Sequence, residues 1–167
     1  MAIIGAGGKT SIPLIEKVIK NFGIKVICVM DKDEGNDLNP EYIYTSDRDF
    51  ECDIVNKLFL NDAIDELIEI IDLYERDGKN KNFQKAKLEK NKEKLGIEIN
   101  IEKDYTINQA IATGNNELIK LILISWLWKT KDMVRGRLLG EQISKNKIPE
   151  VYTISLKKAK ELTENNV

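Results

Sequence analysis

The 167-residue chain contains no histidine. That absence excludes imidazole acid–base catalysis, Ser-His-Asp triads and the usual zinc sites. Any catalysis must then run on carboxylates, lysine, hydroxyls or bound metal. Cysteine is scarce: Cys28 and Cys52 sit inside apolar patterns without CxxC spacing, so no disulfide framework is indicated and both read as reduced, buried thiols. Long apolar runs are also missing. The longest, residues 118–128, is broken by Lys120 and falls short of the roughly 20 residues that a membrane span needs. The apolar N-terminus gives way at once to Gly-rich sequence, unlike a signal peptide. There is no internal repeat and no low-complexity tract. With 42% hydrophobic and 32% charged residues, the chain fits neither a disordered nor a membrane profile. It is expected to be one soluble, cytoplasmic domain with no membrane partner.

What is present is charge, unevenly spread. Residues 1–78 hold 8 Lys+Arg against 17 Asp+Glu, leaving 18 against 11 for residues 79–167. An acidic half beside a basic half suits a metal site next to a polyanion-binding face. The lysine run of residues 79–94 also has a plainer reading, as a solvated helix.

Apolar AIIGA at residues 2–6 reads as a short buried strand. A helix follows in which Leu14, Ile15, Val18, Ile19 and Phe22 recur at helical spacing, with Pro13 in its first turn and Gly23 at its stop. KVICVM at residues 25–30 is the continuous β-branched run of a strand buried on both faces. EYIYTS supplies a third strand and PEVYTIS, from Pro149, a fourth. Helices are expected over residues 61–75, 83–95, 107–112, 117–128 and 132–144. Strand–helix–strand alternation predicts an α/β fold: an open, mainly parallel four-stranded sheet with helices on both faces and a helical insertion over about 58–127. Ligands of such sheets sit at the carboxyl ends of the strands, which places residues 5–9, 31–33 and 47–51 along one edge.

Four constellations there could carry chemistry. In VMDKDEGN, Asp31 and Asp33 follow a strand at i and i+2 and can share a hard cation through oxygen ligands. In TSDRDFECD, Asp47, Asp49 and Glu51 alternate in the same way, and repel unless a cation or water compensates them. They also suit the acidic first turn of a helix. GAGGKTS at residues 5–11 is a Gly-rich strand-to-helix turn that could cradle a phosphate. It is out of register with a P-loop, because Ile3 stands where the first Gly belongs, and no ATP site is expected in this chain. Lys129, Lys131, Arg135 and Arg137 crowd a helix start, as a solvated face or a phosphate contact. Trp126 and Trp128 read as core or interface aromatics rather than stacking platforms.

Taken in order, these segments resemble the TOPRIM domain of the OLD-family (overcoming lysogenization defect) nucleases. IIGAGGKTSIPLIEKVIKNFGIKVICVMDKDEGN is similar to that family's opening βαβ unit. DRDFECDIV resembles its later acidic motif, and KTKDMVRGRLLGEQISKNKIPEVY its closing Lys/Gly-Arg helix and final strand. The resemblance implies a Mg²⁺- or Mn²⁺-dependent DNA endonuclease using two ions, in phage defence or DNA repair. It implies Asp31, Asp33, Asp49 and Glu51 as metal ligands, Asp31 and Lys131 as catalytic residues, and Lys9, Lys131, Arg135 and Arg137 as nucleic-acid contacts. The family's first strand ends in glutamate where this chain has Gly5. Most family members place an ABC-type ATPase domain ahead of TOPRIM, so the chain is expected to be a C-terminal piece of a longer protein rather than a stand-alone relative, with that ATPase domain and a second copy of itself as further partners. Two rival readings stand beside the nuclease: a degenerate TOPRIM module that binds nucleic acid or serves assembly, and a nucleotide-binding enzyme using GAGGKTS.

Overall fold

The computed structural model describes residues 3–5, 8–32, 38–129 and 133–164, with backbone alone for Lys9 and residues 133–135. Its elements in order are α1 (Ile12–Asn21), β1 (Val29–Met30), β2 (Ile43–Tyr44), α2 (Phe50–Leu60), α3 (Ile64–Tyr74), α4 (Lys85–Leu95), α5 (Ile107–Ala112), α6 (Asn116–Lys129), α7 (Met133–Gln142) and α8 (Glu150–Glu164). The expected four-stranded sheet is corrected by this order. Among the described residues the only sheet is β1 and β2, two residues each and parallel, with Val29 opposite Ile43 and Met30 opposite Tyr44.

Three strand expectations fail for different reasons. Residues 3–5 adopt no regular structure and expose Ile3 and Ile4, because three apolar residues bounded by glycine offer too little to pair. The 25–30 run pairs only at its end, where its single neighbour is a two-residue strand. PEVYTIS is helical. Its β-branched alternation holds for only a few residues, whereas Val151, Ser155, Ala159 and Leu162 repeat at helical spacing as the covered side of α8.

The chain divides into two compact units, one of Met1–Asp53 with Ile148–Val167 and one of Ile54–Lys147. The second holds the hydrophobic core: among the described residues all twelve large side chains that are fully buried, from Val55 to Leu127, belong to it. At its centre is α6, every residue of which is buried from Leu121 to Leu127, so it has no solvent face along that length. Asn115 caps it, its Oδ1 accepting the Leu118 N–H at 3.1 Å. Thr106 and Gln109 close a capping box at the start of α5. Gly96, at φ +63°, ends α4 with its N–H on Glu93 O and the Ile97 N–H on Lys92 O, a left-handed stop that favours glycine. Glu66 of α3 accepts the Ser144 N–H and hydroxyl, each at 3.1 Å, and Lys147 Nζ at 2.6 Å, fastening the chain beyond α7 to α3.

Between α4 and α6 lies one polar link in that core: Asn91 donates from Nδ2 to Ser125 Oγ at 2.7 Å. Replacing Asn91 by Ala strands the Ser125 hydroxyl away from water. Such a loss costs about 1–3 kcal/mol, to be read as a drop in urea midpoint at unchanged slope.

The first unit is built differently. Among the described residues its buried side chains are small or polar: Cys28, Thr45, Asp49, Cys52, Asp53, Pro149 and Val151. Both cysteines are free and buried, as expected. Helix α1 shows half of its apolar arc, Leu14, Val18 and Phe22, to solvent. It ends at Gly23, φ +73°, with the Gly23 and Ile24 N–H groups on Lys20 O and Ile19 O. Among the described residues no helix is long and apolar enough to cross a membrane.

Candidate functional site

Parallel pairing determines where the acids gather. β1 and β2 run in the same direction, with the Ile43 N–H on Cys28 O at 2.9 Å and the Thr45 N–H on Met30 O at 3.0 Å. Asp31 and Thr45 therefore leave the sheet at the same end. Thr45, almost fully buried, ties the two exits together: its Oγ1 accepts the Lys32 N–H at 2.9 Å and donates to Asp47 O at 2.8 Å.

The next turn starts α2. Asp49, buried, accepts the Cys52 N–H on Oδ1 at 2.9 Å and caps the helix. The Phe50 N–H, another of the helix's first donors, reaches Asp31 Oδ1 at 3.2 Å and so draws the β1 exit onto the N-terminus of α2. Glu51 stands half-buried in the first turn. Asp53 turns back: its Oδ2 accepts the Ser46 N–H at 3.0 Å and its Oδ1 the Asp47 N–H at 2.6 Å. Both of its oxygens serve the loop, which makes Asp53 a scaffold of the acidic edge. Burial pushes its carboxyl above the ordinary aspartate range, against the two N–H bonds that pull it down.

Tyr152 of α8 faces this edge. Its ring lies 5.4 Å from that of Phe50, and its phenol is driven upward first by burial and then by the carboxylates of Glu51, Asp53, Asp31 and Asp49. Asp49 also raises the Cys52 thiol, after burial, and keeps it protonated and inert.

The structure thus brings Asp31, Asp49 and Glu51 to one edge. Asp33 and Lys131 lie outside the described residues, as do the side chains of Lys9 and Arg135. Arg137 is exposed in the other unit and binds Glu141 at 2.6 Å. Gly5 is exposed; its φ is not left-handed and a Cβ there would meet nothing within 4 Å.

Two participants escaped the sequence reading. Asp53 looked like one more acid of the first turn, and only its separation of six and seven residues from the N–H groups it binds could have hinted at its role. Tyr152 was hidden inside the mistaken strand.

Whether a divalent ion suits the edge is a question of donors. Oxygen ligands without imidazole or available thiolate match a hard cation such as Mg²⁺ or Mn²⁺. Among the described residues, however, no three acids stand close enough together to hold an ion by themselves. Comparison with protein-family models, curated proteins and solved structures returned no match to this chain.

Proposed function

We propose that the chain is a Mg²⁺- or Mn²⁺-dependent enzyme that hydrolyses phosphodiester bonds in DNA, the nuclease module of an OLD-type, ATPase-coupled protein. The reading rests on the acidic edge and not on the fold, since the sheet that the family resemblance implies is absent. One observation carries it: the Phe50 N–H binds Asp31 Oδ1, so Asp31 meets the acidic first turn of α2 that holds Asp49 and Glu51. Carboxylates held together are repelled by one another and are relieved by a cation.

The ligands proposed are Asp31, Asp49 and Glu51 together with Asp33, which lies outside the described residues; the three described acids would have to draw closer together around the ion. A bound divalent ion supplies an activated water and charge stabilisation at a phosphate. The chain's own contribution is to keep the ligands in place: Thr45 and Asp53 fix the loop, and Phe50 fixes Asp31.

Calorimetry with Mn²⁺ tests this on the pair D31N and D49N. Asparagine keeps an oxygen for the Phe50 and Cys52 N–H groups, so the fold should hold while the charge is lost. The expected result is binding by the native chain, at least tenfold weaker binding by the double variant, and plasmid nicking that follows binding. Equal Mn²⁺ binding by both proteins refutes the site. Mn²⁺ binding without nicking would favour the degenerate module, a reading supported by the fact that no three acids among the described residues are grouped closely enough to hold an ion.

A further inference from the structure

The lysine-rich stretch around α4 does not enter the acidic edge; it belongs to the helical unit. Residues 79–95 hold seven lysines against two glutamates. Several are engaged locally. Lys79 binds Asp72 at 2.7 Å and Lys81 binds Glu75. Lys92 binds Glu89 at 2.5 Å and donates to Ile99 O at 3.1 Å. Lys85 reaches Glu102 O at 3.4 Å.

Lys87, Lys90 and Lys94 complete the set, and of these Lys94 has a partner of its own in Trp128. All three are exposed, and among the described residues Lys87 and Lys90 join no ion pair. Leu88 and Asn91 are the buried positions of α4. At about 100° per residue the three lysines fall within a stripe about 60° wide beside that buried side. Glu93 is the exposed acid nearest the row. Lys94 Nζ lies over the ring of Trp128, at the end of α6, 5.9 Å from its centroid, and Lys129 follows, exposed.

Like charges three and four residues apart weaken a helix. Here they serve none of the packing of α4, which Leu88 and Asn91 provide. From Lys87 to Lys94 the row runs about 10 Å along the axis. That length, with the reach of the lysine side chains, is enough to meet successive phosphates along one strand.

We infer that Lys87, Lys90 and Lys94 form a contact track for the phosphate backbone of nucleic acid, with Trp128 as the aromatic platform beside it. The choice of nucleic acid as the polyanion rests on the DNA reading above; the row itself does not depend on the cation site. Phosphates spaced along the row would replace the mutual repulsion of the lysines with ion pairing, without sequence preference. Engagement of Lys94 would also alter the surroundings of Trp128, whereas Trp126 is buried and supplies a constant background.

The test is anisotropy with a short fluorescein-labelled DNA, single-stranded and duplex, titrated between about 50 and 200 mM salt. The native chain should bind with log affinity falling linearly in log salt. K87Q K90Q K94Q should reduce that slope by about 2–3 on duplex, near 0.9 for each phosphate that is no longer neutralised. K87R K90R K94R should restore it, and DNA should change the tryptophan emission of the native protein and of the arginine variant but not of the glutamine variant. Thermal midpoint and Mn²⁺ binding of the glutamine variant should match the native chain. An unchanged slope, or no DNA binding by the native chain, overturns the inference. DNA binding through the row without any Mn²⁺ binding would leave this inference standing and sink the hydrolysis reading instead.

Discussion

Leu123→Ala is expected to destabilise the helical unit by about 2–5 kcal/mol, the range for removing a buried leucine from a core that cannot close around the cavity. Leu123 is fully buried, with Leu121, Ile122 and Ile124 buried beside it on a helix that has no solvent side over this stretch. A helix covered on one side can shift toward a cavity and refill it; α6, packed against both α4 and α5, has little freedom to do so. The neighbouring polar link between Asn91 and Ser125 further fixes its register against α4. Urea unfolding followed by far-ultraviolet circular dichroism checks this. A shift in midpoint at constant slope gives the loss directly, and a change below about 1 kcal/mol would mean that the core repacks freely.

Asp53→Ala should have an effect of similar size in the other unit, for a different reason. Its carboxylate accepts two backbone N–H groups, and its removal leaves the Ser46 and Asp47 donors without an acceptor in a loop of little apolar burial. Hydrogen bonds to a charged group are worth about 1.5–3 kcal/mol each, so a loss of about 2–4 kcal/mol is expected after water reaches part of the loop. The pH dependence has a definite sign. Burial raises the folded carboxyl above its unfolded value, near 3.9. The folded state then holds its proton more tightly, so this group's contribution is fully present below the unfolded value and lost as pH rises through the raised folded one. Asp53→Asn titrates nowhere in this range. The native chain should therefore gain thermal midpoint relative to Asp53→Asn on moving from neutral pH toward pH 4. A gap that shrinks on acidification would show that the N–H bonds, and not burial, dominate.

Such contrasts explain what was legible in the sequence. The long helices of the second unit were, because their apolar spacing persists for ten residues or more: α6 differs from the expected 117–128 by one residue at each end, and the six-residue α5 also occurs at the expected 107–112. Period-two patterns mislead when short. Val151, Thr153 and the residues around them satisfied a strand template over seven positions, yet the fifteen-residue window from Glu150 to Glu164 obeys the helical one. Residues 2–6 and 25–30 had strand composition, but a strand exists only with a neighbour, and pairing is not written in composition. At the acidic edge, sequence could nominate Asp31, Asp49 and Glu51 as strand-end or helix-start acids. It could not separate them from Asp53, since which carboxylate accepts a loop's N–H groups depends on the turn between them.

The discontinuity of the acidic unit bears on the order in which the protein is made. Its two segments are separated by the 94 residues of Ile54–Lys147, so Tyr152 cannot reach Phe50 until all of these have been synthesised. The inserted helices, whose main packing partners lie between Ile54 and Lys147, can fold before then, beginning with neighbours such as α5 and α6, as local contacts form fastest. Closing a loop costs more the longer and looser it is; once the insertion has folded, its ends no longer wander as those of a free coil would. Synthesis thus leaves the acidic edge to be completed last, when α8 emerges to cover it.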